Sequence, residues 1–228
     1  MRHLSTPGVS ALADVAALVG LDGWLTPPLQ PIVPAPVAGR GSVRTVTLAV
    51  AESGTGLGPV YELLSSDLSG QVLVVSGAAA LDGAIWGEIL ATAAQSSGAL
   101  AVLVDGAVRD QPEMMFIGLP VYAREQRVVG PAARAHVVAV DAPIEIGGVH
   151  ITCEDTIAFD AVGCIRLQAA REWEVLDAAR RYNEAEQRVL DALRNGAPLS
   201  AAYLYKKAVV DTLKDEWKGV TTGHGRAL

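Results

Sequence analysis

The chain has 228 residues, half of them apolar, and a formal net charge of −7. This composition supplies a sizeable core and excludes global disorder. The net negative charge excludes an overall basic surface of the kind that attracts nucleic acid. Two cysteines are too few for a disulfide framework, and the N-terminus lacks the apolar core of a signal peptide. No apolar run approaches the ~20 residues of a membrane helix. The default expectation is therefore a cytoplasmic protein without membrane contact.

The first part of the chain predicts short helices and strands on either side of an extended connector. Apolar periodicity predicts a helix over 10–19, and five prolines make 25–37 a connector rather than a helix or a central strand. Alternating residues predict a strand over 39–50, and the apolar run 72–75 predicts a buried strand. The glycine-rich stretch 53–59 lacks the ending of a phosphate-binding loop, and we interpret it as a flexible loop. Pro59 suits the first turn of a helix that would follow through Leu64.

The stretch 83–110 gathers acidic and basic residues at the ends of its predicted elements. Gly87 precedes a helix whose first turn is 88–90, where backbone N–H groups lack intrahelical partners and favour anions. The apolar run 100–104 predicts a strand covered on both faces. The polar residues 105–110 then predict the loop that leaves this strand. Sites are usually built at such element ends.

Three charged side chains of this stretch are candidates for chemistry. Twenty residues separate Glu88 from Arg109, and Asp110 follows directly. If the strand after the helix lies beside the strand before it, these side chains meet at one edge of the sheet. Carboxylate oxygens suit Mg²⁺ or Mn²⁺, and a guanidinium recognises a carboxylate as a fork. A divalent ion with an arginine would serve a small 2-oxo acid, but a surface salt bridge of Arg109 fits the spacing equally well.

The rest of the chain predicts further strands and then a change to helices. The strand candidates are 118–122, 134–140, 144–152, with a Gly147–Gly148 turn or bulge, and 160–167. The residues 172–193 and 198–217 carry apolar side chains at helical spacing. Strands that alternate with only three helices before residue 165 indicate α/β layering with mixed sheets.

These patterns divide the chain into a domain over 1–167 and a helical hairpin with a tail over 168–228. The hairpin is better suited to packing or oligomerisation than to catalysis. Cys153 and Cys164 match no common zinc spacing, so we expect two buried structural thiols. The four histidines form no zinc pattern either.

The central stretch resembles the RraA-like family, which includes 4-hydroxy-4-methyl-2-oxoglutarate/4-carboxy-4-hydroxy-2-oxoadipate aldolases and regulators of ribonuclease E activity. Glu88, Arg109 and Asp110 meet the family's signature of an acidic residue, twenty residues, and Arg-Asp. Weaker similarity extends from about residue 5 to residue 167. The matching runs are Trp86–Ala94, Gly98, Val104–Asp110 and Leu119–Arg124.

The resemblance implies an α/β fold of the three-layer β/β/α swivelling-domain-like type, with trimers or hexamers made of trimers and sites between subunits. It implies that Asp110 holds a divalent metal, Mg²⁺ or Mn²⁺, and that Glu88 acts through bound waters. It implies that Arg109 contacts a 2-oxo acid. The backbone amides of Ile89 and Leu90 would contact the carboxylate of that acid.

These roles predict a carbon–carbon lyase. The expected reactions are class II type retro-aldol cleavage of a 4-hydroxy-2-oxo acid, which releases pyruvate, and oxaloacetate decarboxylation, both through a metal-stabilised enolate. Gly87 to Leu90 would offer amides to the substrate, and Arg109 would add fixed positive charge. The alternative is a non-catalytic regulator that binds an RNA-processing enzyme. The runs Cys153–Asp155 and Asp160–Leu167 depart from the family pattern, which leaves the substrate open.

Overall fold

The structure, a computed structural model, describes residues 6–51, 56–131 and 134–218. The helices of these ranges are α1 (Val9–Leu18), α2 (Gly58–Leu64), α3 (Glu88–Ser96), α4 (Gln111–Ile117), α5 (Glu172–Arg194), α6 (Leu199–Ala202) and α7 (Leu204–Trp217). The strands are β1 (Gln30–Val33), β2 (Gly39–Val50), β3 (Gln71–Ser76), β4 (Ala101–Val108), β5 (Val121–Gln126), β6 (Ala135–Val140), β7 (Ile144–Ile146), β8 (Val149–Ile151), β9 (Thr156–Phe159) and β10 (Cys164–Leu167).

Eight of the strands form one mixed sheet in the order β1-β5-β4-β3-β2-β9-β10, with β6 also paired to β2. The strands β2, β3, β4 and β5 run parallel to their neighbours in this set. The strands β1, β6, β9 and β10 pair antiparallel. The long strand β2 pairs with β3 along one edge and with β9 and then β6 along the other. The predicted mixed α/β fold with helices at the C-terminal end is confirmed.

The parallel strands β3, β4 and β5 are joined by helices, because parallel neighbours need crossover connections. Helix α3 leads from β3 to β4, and α4 leads from β4 to β5. The start of α3 and the end of β4 therefore lie at the same edge of the sheet, where open α/β sheets bind ligands. The core between helices and sheet includes the buried side chains of Val75, Trp86, Val104 and Met114.

Two further apolar clusters complete the molecule. The hairpin β7–β8 covers the other face of the sheet, where Val74 and Leu103 pack with Ile146. Helices α1, α5 and α7 share a third cluster, in which Tyr182 Oη also donates to Asp14 Oδ2 at 2.7 Å. The C-terminal helices thus pack against the N-terminal helix. The domain boundary at residue 167 stays a prediction.

Several predicted elements have different bounds in the structure. Strand β4 continues to Val108, so the prediction of a loop over 105–110 is wrong for its first four residues. Asp105 is accommodated in the strand because it pairs with Arg124 on neighbouring β5 at 2.7 Å. The connector over 25–37 contains β1, an edge strand, where the missing N–H of Pro31 is tolerated.

Further corrections concern the middle and the end of the chain. Helix α4 was not predicted, so the count of three helices before residue 165 was wrong. The strand predicted over 160–167 is a turn followed by β10, and β9 precedes the turn. The helix predicted over 198–217 is interrupted at Tyr203 between α6 and α7.

Two other expectations can be compared with the described residues. Cys153 and Cys164 are free thiols, but both residues are half-buried rather than buried. Within the ranges that the structure describes, no helix has the length and apolar character that crossing a bilayer would require.

Candidate functional site

The end of β4 meets the first turn of α3, as the spacing of the charged residues predicts. The Arg109 amide donates to the Trp86 carbonyl at 2.9 Å, which joins the end of the strand to the residues before the helix. The Glu88 amide donates to Asp110 Oδ2 at 3.4 Å. The guanidinium Nε of Arg109 lies 3.3 Å from the same oxygen. A carboxylate, a guanidinium and a helix N-terminus are therefore brought together.

The backbone of Asp110 holds an uncommon conformation. Its φ is 58° and its ψ is 40°, in the left-handed region. Among the described residues other than glycine, only Asp141 shares a positive φ. Such a conformation costs on the order of 1 kcal/mol or more and persists where the surroundings hold it, often at functional sites. At Asp110 it turns the chain from β4 directly into α4.

The absence of a side chain at Gly87 allows the carboxylate of Asp110 to approach α3. A Cβ atom at Gly87 would lie 2.6 Å from Asp110 Oδ2 and 3.0 Å from Arg109 Cγ. Both distances are shorter than an ordinary van der Waals contact. The φ of Gly87 is −169°, which any residue can adopt, so the requirement for glycine is one of space.

An open pocket of about 220 Å³ lies beside these groups. The side chains of Arg109 and Asp110 are 44% and 37% exposed, so a small solute can reach both. The residues that line the pocket are Leu57, Tyr61, Ala84, Ile85, Trp86, Gly87, Ile89, Leu90, Arg109, Asp110 and Pro131. Five of the six predicted site residues are among them.

Glu88 is the predicted site residue that does not line the pocket. Its side chain is exposed, and its contact in the site is the backbone amide that donates to Asp110. The proposed role of its carboxylate, to act through water on a metal, stays a prediction.

The acidic groups of the site suit a metal that keeps much of its water. Among the described residues, no group of three or more His, Cys, Asp or Glu side chains is arranged to hold an ion. Asp110 is the one carboxylate among the described residues that line the pocket. Mg²⁺ is commonly bound by one or two carboxylates, with waters and substrate oxygens as the other ligands. The donor set therefore fits Mg²⁺ or Mn²⁺ bound in this way.

Sequence reasoning missed the residues that form the far wall of the pocket. Leu57 and Tyr61 come from the start of α2, and Pro131 comes from the loop after β5. The Ala84 amide donates to the Val129 carbonyl at 2.8 Å, and this hydrogen bond holds the loop against the residues that precede α3. No local pattern could have identified these residues, because the topology of the sheet brings them together.

The family model for RraA-like proteins, described as Aldolase/RraA, matches residues 9–166. The chain belongs to the RraA-like family. The matched range contains every predicted site residue and ends before α5, so the resemblance noted in the sequence is confirmed.

Three proteins that resemble this chain are each 26% identical to it in sequence. A Halalkalibacterium halodurans protein, provisionally named a 4-hydroxy-4-methyl-2-oxoglutarate aldolase, is 26% identical over 73% of this chain and 77% of its own length. The structure of an uncharacterized protein from Pseudomonas syringae pv. tomato is 26% identical, with a TM-score of 0.75 over 86% of this chain and 92% of that one. The RNA-processing inhibitor RraA from Thermus thermophilis is also 26% identical, with a TM-score of 0.54 over 68% of this chain and 91% of its own.

Proposed function

We propose that this protein is a divalent-metal-dependent carbon–carbon lyase that acts on a 2-oxo acid. The observation that carries the proposal is the meeting of Arg109 and Asp110 with the first turn of α3 in an open pocket. This arrangement offers a cation, a carboxylate of a type that suits a divalent metal and the first-turn amides of a helix within one small volume. The aldolase name of a relative at 26% identity supports the same reaction class.

The acidic residues would serve the metal. Asp110 would hold Mg²⁺ or Mn²⁺, and Glu88 would act on the ion through water. When bound, the ion supplies Lewis-acid stabilisation of negative charge on the oxygen atoms of the substrate. The Glu88 amide, which donates to Asp110 Oδ2, would hold its carboxylate in place for that purpose.

The basic residue and the helix amides would serve the substrate. The amides of Ile89 and Leu90 would donate to the C1 carboxylate, with Gly87 leaving the backbone accessible. When the C3–C4 bond breaks, its electron pair passes into the enolate of pyruvate, and Arg109 stabilises that charge. In retro-aldol cleavage the 4-hydroxyl loses its proton and the other fragment leaves as a carbonyl compound. In oxaloacetate decarboxylation the other fragment is CO₂, and protonation at C3 gives pyruvate in both cases.

The test is pyruvate release from oxaloacetate and from 4-hydroxy-4-methyl-2-oxoglutarate, with Mg²⁺ and after chelation. Asp110→Ala should abolish the stimulation by metal. Arg109→Ala should lower kcat/KM by about 10²-fold or more and leave Mg²⁺ affinity largely unchanged. Arg127→Ala is the matched control, because Arg127 pairs with Asp82 and Glu125 and does not line the pocket. A rate equal to the uncatalysed, metal-independent background would refute the proposal.

We propose further that the protein forms a trimer or a hexamer with sites between subunits. Large apolar side chains are exposed in the single chain on α3, on α4 and on the loop after β5: Ile89 is 77% exposed, Phe116 91% and Val128 98%. Contact between subunits would cover such side chains, and contiguous apolar surface marks interaction sites. A monomeric mass by light scattering at the concentrations used for activity would contradict this assembly.

A second candidate function is a non-catalytic regulator that binds an RNA-processing enzyme. The specific observation in its favour is the likeness to the RNA-processing inhibitor RraA from Thermus thermophilis. Inhibition of a ribonuclease by the protein, unaffected by Asp110→Ala and unaccompanied by pyruvate release, would favour this function over the lyase.

A further inference from the structure

We infer that Gly130 is a positioning residue for Arg109, because the guanidinium of Arg109 lies beside the main chain of this glycine. Gly130 belongs to the loop after β5 (127–131), outside the motif that carries Arg109. For catalysis the inference rests on the proposed function, since it assumes that Arg109 contacts the substrate. The packing of Arg109 on Gly130 can also be tested without any turnover of substrate.

The side chain of Arg109 is in close contact with two glycines. A Cβ atom at Gly87 would lie 3.0 Å from Arg109 Cγ, so this glycine faces the aliphatic stem. A Cβ atom at Gly130 would lie 3.2 Å from Arg109 Nη1 and 3.9 Å from its Cζ, so this glycine faces the guanidinium. Favourable contacts between such atoms begin at about 3.5 Å. A side chain at position 130 would therefore compete with the guanidinium for the same space.

Main-chain contacts fix the loop that carries Gly130. The Arg127 amide donates to the carbonyl of Val108, the last residue of β4, at 2.9 Å. The hydrogen bond from the Ala84 amide holds the loop at a second point. A Cβ atom at Gly83 would lie 2.3 Å from the Gly130 carbonyl oxygen, so this glycine lets the two main chains touch. The loop is thus anchored to both segments that flank the site, and these anchors do not need the side chain of Arg127.

The backbone conformation of Gly130 does not itself require glycine. Gly130 is not among the described glycines with a positive φ. The next residue is Pro131, and the residue before a proline favours the extended conformation, which β-branched side chains adopt readily. The close approach of Arg109 is therefore the structural reason for a glycine at this position.

The guanidinium of Arg109 needs support of this kind. Its side chain is 44% exposed, and its Nε lies 3.3 Å from Asp110 Oδ2. A long, exposed side chain loses rotamer freedom when it binds a ligand, and packing that orders it beforehand lowers this cost. Because a misplacement on the order of 1 Å can cost about 10²-fold in rate, the surface that locates the guanidinium also controls its catalytic effect.

Crystal structures of the full-length wild type and of Gly130→Val test the packing directly. The valine methyl groups extend one bond beyond the Cβ atom, so we expect the guanidinium of Arg109 to move by about 1 Å while the loop main chain stays in place. An unmoved guanidinium would overturn the inference. Gly130→Ala is the milder second variant if Gly130→Val does not fold, and it should move Nη1 by a few tenths of an ångström, on the order of the shortfall from ordinary contact.

The kinetics of pyruvate release provide the second measurement. We expect kcat/KM to fall about threefold in Gly130→Ala and at least about tenfold in Gly130→Val. Part of the loss should be a rise in KM, which a smaller fraction of folded protein could not produce. In an Arg109→Ala background Gly130→Val should cost less than about twofold, because it acts through the guanidinium. Gly163→Val is the matched control, because nothing lies within 4 Å of a Cβ atom there.

The two measurements separate this inference from the proposed lyase. If pyruvate is released but Gly130→Val leaves kcat/KM unchanged, or lowers it equally with and without Arg109, the positioning role is wrong and the lyase stands. If the guanidinium moves in Gly130→Val but the wild type releases no pyruvate, the lyase proposal fails and the packing role stands. If the guanidinium does not move and no pyruvate is released, both are wrong.

Discussion

Replacement of Gly87 by alanine tests whether the site depends on close approach of Asp110 to α3. The added Cβ atom would lie 2.6 Å from Asp110 Oδ2, whereas ordinary contact begins near 3.4 Å, so the carboxylate must retreat by roughly 0.8 Å. The retreat also lengthens its hydrogen bond from the Glu88 amide, which is already 3.4 Å. A misplacement on the order of 1 Å can cost about 10²-fold in rate. We therefore expect Gly87→Ala to lower kcat/KM for pyruvate release by about 10²-fold.

The same substitution should hardly affect folding. The side chain of Asp110 is 37% exposed and can swing towards solvent, and the extended φ of −169° at Gly87 suits alanine. We expect the free energy of unfolding to change by less than about 1 kcal/mol in urea titrations. Gly163→Ala is the matched control, because nothing lies within 4 Å of a Cβ atom there.

A double variant connects the loss of rate to Asp110. If Gly87→Ala acts by displacing this carboxylate, its effect should largely disappear in an Asp110→Ala background, since coupled residues are not additive. A coupled assay that follows pyruvate, run beside the unfolding measurements, decides the matter. Wild-type activity in Gly87→Ala, or a loss of activity explained by unfolding, would refute the reasoning.

Two further predictions concern partly buried residues outside the site. Asp105→Ala leaves the guanidinium of Arg124 without its carboxylate in a pair whose side chains are only 17% and 19% exposed, and should cost about 3 kcal/mol of stability. Asp82→Ala, which breaks the exposed pair with Arg127, should cost much less; equal losses would contradict the argument. Although Cys164 as a whole is half-buried, its thiol group is buried, and this burial raises the pKa of the thiol to about 12, from 9.0. The free energy of unfolding should therefore be unaffected by this thiol below about pH 9 and fall above it, by up to about 1.4 kcal/mol per pH unit, and Cys164→Ala should flatten that fall.

The sequence allowed much of the framework to be predicted because its patterns are local. The alternation in residues 39–50 matches β2 at both ends, and the apolar periodicity after residue 172 matches α5 to within one residue at its end. The meeting of Glu88 with Arg109 and Asp110 at one sheet edge also follows from spacing once the crossover is assumed. These features depend on the periodicity of apolar residues along the chain and on the short connection from β3 through α3 to β4.

Other features depended on partners that are distant in the sequence. Asp105 indicated a loop by its polarity, but Arg124 on β5 compensates its charge and lets β4 continue. Pro31 argued against a helix and a central strand, and β1 lies at the edge of the sheet, where a missing N–H is tolerated. In both cases the place of the residue in the sheet, which local sequence does not reveal, decides which backbone structure is tolerated.

The sequence by itself determined the charged residues of the site, the order of strand and helix around them, and the family to which the chain belongs. Only the tertiary structure decided that Glu88 contributes its amide while its carboxylate stays exposed, and that Gly87 leaves space for Asp110. It also decided which apolar residues from α2 and from the loop after β5 form the far wall. The physical reason is that hydrogen bonding and periodicity act between near neighbours in the chain, whereas the shape of a pocket is set by packing between segments that only the sheet topology brings together.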